Sequence, residues 1–293
     1  MDWLVVVFGF GVGILIGLTG IGGASLMTPV LVLFAGVKPT IAIGTDLAYG
    51  AITKTVGGWR HWRNGTVDFG IAMWLAGGSI PGSLLGIWLL KRLSISTNSL
   101  LLGIAGALLL AAIAILTRAL FLPKLAARER HTVELTIRIK ALAVGLGLVL
   151  GLMLGMTSVG SGALIGLALI VVFRLTPHRV VGTDIFHAAV LLWVAGFAHF
   201  VSGNVDITLV GNILVGSVPG IYIGSSLVSR VPANALRIVL SCVLLCSALA
   251  ILTKTSLQIP ISLVIGLPVI VGLLAWLIYS KGFHNLYKWC LRS

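Results

Sequence analysis

The chain has 293 residues, of which 58% are hydrophobic and only 9% charged, and its formal net charge is +13. About a quarter of the residues of a soluble domain are charged, so this composition excludes an ordinary water-soluble globule and places the chain in a lipid bilayer. Runs such as 100–116 are apolar on every face, whereas the strands of a transmembrane β-barrel alternate apolar and polar residues. The sequence therefore predicts an all-α, polytopic bundle of transmembrane helices.

Nine apolar segments are long enough to be membrane helices. They cover residues 3–36, 41–59, 69–90, 98–117, 139–173, 180–201, 207–228, 234–253 and 259–280. Two of them exceed a single span, and each contains glycine and hydroxyl residues that weaken a helix. We name these the first glycine cluster (residues 19–25) and the second glycine cluster (residues 157–162). Each is predicted to break its segment into two helical arms in a re-entrant-like arrangement.

The two clusters belong to an internal repeat with an offset of 138 residues. Gly-Thr-Asp at 44–46 recurs at 182–184, and Gly-Ser-x-Pro-Gly at 78–82 recurs at 216–220. Matches at glycine and polar positions favour duplication over chance, because chance matches in an apolar chain would fall on Leu, Val and Ile. We expect a first transmembrane repeat over 1–117, a cytoplasmic linker over 118–138 and a second repeat over 139–255. An additional transmembrane helix and a cytoplasmic tail follow over 256–293.

The distribution of basic residues favours two inverted repeats. If each broken segment returns to the side it entered, each half crosses the membrane an odd number of times and the halves are inverted. With the linker in the cytoplasm, fifteen Lys and Arg side chains lie inside and four outside, in agreement with the positive-inside rule. The alternative, in which each broken segment crosses twice, stays open. The predicted location is a bacterial or archaeal cytoplasmic membrane.

The glycine clusters are the predicted binding site for an anion. A half-helix that begins inside the membrane directs free N–H groups and the positive end of its dipole at a cavity, as in many secondary transporters. The alternative is that the glycines only permit close helix packing. The candidate binding residues are Thr19, Gly22, Gly23, Ser25, Thr157, Ser158, Gly160, Ser161 and Gly162.

Four of the seven acidic residues form two repeat pairs. Asp68 and Asp206 follow turns and precede apolar runs, so they are predicted helix N-caps. Asp46 and Asp184 lie inside their helices, where buried acids usually have a function, and the predicted roles are gating, proton coupling or holding the broken segment. The candidate gating or coupling residues are Thr45, Asp46, Thr183, Asp184, Lys54 and His187. The alternatives are a snorkelling cation for Lys54 and a polar filler for His187.

The order of these motifs resembles the TauE/SafE family of sulfite and organosulfonate exporters. The motifs are Gly-Leu-Thr-Gly-Ile-Gly-Gly at 17–23 and Gly-Met-Thr-Ser-Val-Gly-Ser-Gly at 155–162, each followed by a proline and then Gly-Thr-Asp. The resemblance covers nearly the whole chain and implies export of small sulfur oxyanions or organosulfur anions. The second cluster departs from the first, with serine at 158 and 161 where the first has glycine.

We therefore expect a secondary transporter of a small anion that works by alternating access. A cation permease that uses Asp46 and Asp184, or a membrane-embedded enzyme, is the alternative. The chain has no nucleotide-binding, HExxH or Gly-x-Ser-x-Gly motif, and its three cysteines lack CxxC spacing, so neither catalysis nor a metal or other cofactor is expected. The expected partners are the anion and membrane lipid, without nucleic acid. The small residues Gly103 and Ala107 allow packing within a protomer or in a homodimer.

Overall fold

The computed structural model describes residues 2–19, 24–93, 95–125, 133, 135–227, 231–257 and 259–290. Within this part of the chain, the polypeptide forms eleven α-helices, which confirms the predicted all-α class. The helices are α1 (Trp3–Thr19), α2 (Ala24–Leu33), α3 (Pro39–Arg63), α4 (Phe69–Arg92), α5 (Thr97–Leu125), α6 (Ile137–Thr157), α7 (Leu164–Val171), α8 (Pro177–Val201), α9 (Ile207–Leu227), α10 (Ala233–Leu252) and α11 (Ile261–Cys290).

Seven of the described helices, α4, α5, α6, α8, α9, α10 and α11, are long and apolar enough to cross a membrane. Helix α3 is not among these seven. It has the same length as α8, 25 residues, but it carries both Asp46 and Lys54 in its interior. Large apolar side chains cover the outer surface of the bundle; Phe197, for example, is 66% exposed. A surface of this kind is stable in lipid and not in water, so the chain is a multi-pass membrane protein, as predicted.

The second glycine cluster interrupts the helix in which it lies, as predicted. Helix α6 ends at Thr157 and α7 begins at Leu164. Between them the backbone takes φ values of 60° at Ser158, 142° at Gly160 and 92° at Gly162. These positive values are incompatible with a right-handed helix and are easiest for glycine. In the first half, α1 ends at Thr19 and α2 begins at Ala24, and residues 20–23 lie outside the described residues.

Helix α5 continues past the predicted start of the linker and ends at Leu125. Arg118, which the sequence assigns to the cytoplasmic linker, therefore lies in the helix, and its side chain is only 5% exposed. The apolar residues that follow it, Ala119 and Leu120, extend the buried face of α5, and Ala119 packs in a small apolar cluster with Ile238.

The first helix of each repeat packs against the other repeat. Helix α1 lies on α9, and its counterpart α6 lies on α4. A Cβ atom at Gly13 would overlap the carbonyl of Ser217, and one at Gly151 would overlap the carbonyl of Ser79. These two contacts are related by the 138-residue offset. Only glycine lets the two backbones approach so closely. These glycines therefore allow the close helix packing that joins the two halves.

Helices α3 and α8 are counterparts in the repeat and pair with each other in an antiparallel direction. Gly44, near the start of α3, meets Asn204 just after α8, whereas Gly58, near the end of α3, meets Phe186 early in α8. The counterparts α5 and α10 are also antiparallel, since the N–H of Ser256, just after α10, donates to Oδ1 of Asn98 at the start of α5 (3.0 Å).

The main apolar core lies where these central helices meet. Its fully buried side chains include Leu47, Ile104, Leu108, Leu192 and Leu244. Ala107 is part of the same core at 3% exposure. One of the two residues that allow a homodimer is therefore buried within the protomer.

Candidate functional site

The threonines of the two Gly-Thr-Asp motifs connect the halves. Oγ1 of Thr45 accepts a hydrogen bond from the N–H of Asp206 (3.1 Å), and Oγ1 of Thr183 accepts one from the N–H of Asp68 (2.9 Å). Each threonine thus holds the start of a helix that belongs to the other repeat. Both are fully buried. In this structure these two candidate gating residues form reciprocal contacts between the halves.

Asp68 and Asp206 cap α4 and α9, as predicted. Their Oδ1 atoms accept hydrogen bonds from the N–H groups of Ile71 and Leu209, each at 3.1 Å. Asp68 also pairs with Arg179, whose Nη1 lies 3.4 Å from its Oδ2. The repeat pair is therefore bound to helix starts and stays separate from the glycine clusters.

Asp46 lies fully buried against the second glycine cluster. Its Oδ2 accepts hydrogen bonds from Oγ1 of Thr28 (2.7 Å), from the N–H of Thr28 (3.2 Å) and from Oγ of Ser158 (2.9 Å). Its Oδ1 is buried without a hydrogen-bond partner among the described residues. One carboxylate of the first repeat thus joins α2 and α3 to the second glycine cluster.

Lys54 reaches the same cluster from α3. Its Nζ donates to Oγ of Ser161 (3.0 Å), and the side chain is 6% exposed. At the next residue of the cluster, Oδ1 of Asp184 accepts from the N–H of Gly162 (3.1 Å). The described residues contain one ion pair within 4.0 Å, that between Arg179 and Asp68. Lys54 therefore contacts neither Asp46 nor Asp184.

The remaining predicted binding residues divide into three groups. Thr19 and Thr157 donate their hydroxyls to the carbonyls four residues earlier in their own helices, each at 2.6 Å, so these hydroxyls support the ends of α1 and α6. Ser25 is buried at 5% exposure at the start of α2. Gly22 and Gly23 lie outside the described residues. The site that the structure brings together therefore consists of the second glycine cluster and its neighbours.

His187 lies one turn beyond Asp184 on α8 and is 1% exposed. Its Nε2 lies 2.8 Å from Oγ of Ser79 on α4. The repeat counterparts of this pair are Tyr49 and Ser217, whose hydroxyls are both buried. The second repeat thus places an ionisable ring where the first has a phenol, so the two halves are chemically different at this level.

Sequence reasoning missed two residues of the site. Thr28 binds Asp46, and Nη1 of Arg118 lies 3.4 Å from the carbonyl oxygen of Gly162. No sequence signal marks Thr28, because its repeat counterpart is Gly166. The sequence does contain a signal for Arg118, because apolar residues continue on both sides of it. This pattern is compatible with a helix that continues through residue 118.

The arrangement brings two ionisable side chains of the first repeat and two hydroxyls of the second together at one buried place. The ammonium of Lys54 and the carboxylate of Asp46 come from the first repeat, whereas the hydroxyls of Ser158 and Ser161 come from the second. Buried charges are costly unless they are compensated. A group of this kind is suited to bind an ion or to move a proton, and any movement between the halves alters its contacts.

Comparison with known proteins identifies the family. Residues 5–251 match the model of the family described as sulfite exporter TauE/SafE. The chain is 38% identical over 256 residues to the probable membrane transporter protein YjnA of Bacillus subtilis (strain 168), which covers 86% of this chain and 100% of that protein. It is 30% identical over 234 residues to YdhB, a probable membrane transporter protein of the same organism, covering 80% of this chain and 93% of that protein. No solved structure matches the chain significantly.

The family model spans both repeats and all the helices that form the site. The curated relatives carry names of membrane transporters, and the seven candidate spanning helices agree with a multi-pass protein. These findings confirm the predicted resemblance and the expectation of a transporter instead of an enzyme. The chain therefore belongs to the sulfite exporter TauE/SafE family of membrane transporters.

Proposed function

We propose that this transporter exports a small sulfur-containing anion, sulfite or an organosulfonate, across the cytoplasmic membrane by alternating access. The observation that carries the proposal is the buried Nζ of Lys54 on the hydroxyl of Ser161. A buried lysine whose amine touches no carboxylate among the described residues favours an anionic ligand, because burial disfavours the charged amine and a bound anion would stabilise it.

The start of α7 supports the same kind of ligand. The first N–H groups of a helix have no partner within the helix and attract negative charge. Asp184 already uses one N–H of this region, that of Gly162. An internal carboxylate therefore occupies a position that suits an oxyanion, and we infer that the substrate and Asp184 compete for it.

The contacts across the halves support alternating access. Asp46 and Lys54 belong to the first repeat, and their partners Ser158 and Ser161 belong to the second. Rotation of one half against the other would separate these groups and open the site to one side. The antiparallel pairing of the counterparts α3 and α8 supports inverted repeats, for which such a motion exchanges the two sides.

The experiment is a binding screen with purified, full-length protein against sulfite, sulfate, thiosulfate and methanesulfonate. We expect binding of at least one sulfur anion and a loss of about 10- to 100-fold in Lys54→Gln, which is the range for a hydrogen bond to a charged group. Lys91, which is exposed at the end of α4, supplies the control Lys91→Gln and should leave the affinity unchanged.

Two results would contradict the proposal. If Lys54→Gln binds the anion with the affinity of the wild-type protein, Lys54 does not take part in binding. Binding of a divalent cation without binding of any sulfur anion would instead favour a cation permease, with Asp46 and its unpartnered Oδ1 as a ligand. Transport itself is then measured as efflux from proteoliposomes loaded with the anion that binds.

A further inference from the structure

We propose that Arg118 is a second anion-binding residue, which holds two oxygens of one oxyanion beside the second glycine cluster. This inference rests on the proposed function and specifies the class of its substrate. A guanidinium presents paired N–H donors in a plane and suits a group with two or more oxygens on one central atom, such as sulfite or a sulfonate.

The first support is the unused hydrogen-bonding capacity of Arg118. The side chain is 5% exposed, and its Nε is buried without a hydrogen-bond partner among the described residues. Nη1 makes one long contact, 3.4 Å to the carbonyl oxygen of Gly162. A guanidinium has five N–H donors, and leaving buried donors unpaired is costly. A ligand that accepts hydrogen bonds here would satisfy them.

The second support is the charge around Arg118. The charged groups that act on Arg118 are the like charge of Arg237 and the carboxylate of Asp184, and no carboxylate of the described residues lies within 4.0 Å of the guanidinium. Asp184 and Arg118 instead meet the same residue from different sides: the carboxylate accepts from the N–H of Gly162, and the guanidinium lies at its carbonyl. Arg118 thus contacts the same cluster as Lys54.

The third support is the space that α7 leaves for the guanidinium. A Cβ atom added at Gly166 would lie 2.6 Å from Nη1 of Arg118. The repeat counterpart of Gly166 is Thr28, whose hydroxyl and N–H bind Asp46. At this position the first repeat therefore has a side chain that contacts a carboxylate, whereas the second has a glycine that makes room for a cation.

The test measures sulfite and methanesulfonate binding to purified, full-length variants. Arg118→Gln should weaken binding by about 10- to 100-fold, the range for a hydrogen bond to a charged group. Arg118→Lys should weaken it less, because it keeps the charge and loses the paired donors. Gly166→Ala should also weaken binding, since it displaces the guanidinium without removing it. The control is Arg237→Gln, which removes a half-buried cation that interacts with Arg118 and binds Asn234; it should leave binding unchanged.

The outcomes separate this inference from the proposed function. If the wild-type protein binds neither anion, both fail. If the wild-type protein binds and folded Arg118→Gln binds equally well, only the role of Arg118 fails. An equal loss in Arg237→Gln would indicate a general effect of charge and would also overturn it. If Arg118→Gln does not fold, Gly166→Ala decides, and unchanged affinity in that variant overturns the proposal.

Discussion

Asp46 and Asp184 occupy equivalent positions in the repeat, yet they bind different groups. Asp46 accepts hydrogen bonds from the hydroxyls of Thr28 and Ser158 and from the N–H of Thr28, whereas Asp184 accepts one from the N–H of Gly162 in the second glycine cluster. Only Asp184 therefore occupies a backbone donor of the proposed anion site. A difference in function between the two acids follows from this difference in partners.

We expect Asp184→Asn to bind sulfite or methanesulfonate more tightly than the wild-type protein and to transport it more slowly. The substitution removes a negative charge that competes with the substrate, and it also removes the carboxylate that would displace the substrate for release. Binding is measured with purified protein, and efflux is measured with proteoliposomes of matched protein content.

Asp46→Asn is the matched comparison. It keeps the size of the side chain, so protein abundance should stay close to that of the wild type while efflux falls. Abundance and efflux that fall together in both variants would instead show that the acids are structural.

The burial of the two acids is predictable from the sequence, because both recur at the same place inside apolar helices. The contact of Thr45 is not predictable from the sequence, because its partner, the N–H of Asp206, lies 161 residues away at the start of a helix of the other repeat. A repeat predicts which residues are equivalent. It does not predict whether they meet each other, a ligand or the neighbouring half.

At the scale of elements, the position of the second break is predictable because residues 157–162 combine glycines with hydroxyl residues that weaken a helix. The end of α5 is not predictable in the same way. A basic residue after an apolar run usually marks the membrane surface, but Arg118 stays buried because the carbonyl of Gly162 and the open space at Gly166 receive it.

The packing of α6 on α4 leads to a prediction for two glycines of the same helix. Gly151→Ala places a methyl group against the backbone of Ser79 and should destabilise the protein by about 1–3 kcal/mol, as overpacking does. Gly145 has nothing within 4 Å of its added Cβ, so Gly145→Ala should leave the stability unchanged or slightly raised. The measurement is the melting temperature in detergent; equal effects would show that the glycine contact is not what holds these helices together.

At the scale of the whole molecule, the counterpart helices α3 and α8 run antiparallel, and the distribution of basic residues predicts how the bundle is oriented in the membrane. We expect the 118–138 linker and the C-terminus on the same, cytoplasmic side, because fifteen basic residues against four favour it. A variant without its three native cysteines would receive Arg130→Cys or Ser293→Cys and a membrane-impermeant thiol reagent. Labelling of the two positions from opposite faces would exclude the inverted arrangement.

The exchange of first helices between the halves has a consequence for biosynthesis. Helix α1 enters the bilayer early, but its glycine-lined face has no partner until α9 (Ile207–Leu227) has been synthesised and inserted. During that interval only lipid or an insertion factor can cover the glycine-lined face of α1. Asp46 also lacks the hydrogen bond from the hydroxyl of Ser158 until the second repeat has been made. The ribosome must therefore complete most of the second repeat before the first can reach its native packing, and neither half is a self-sufficient folding unit.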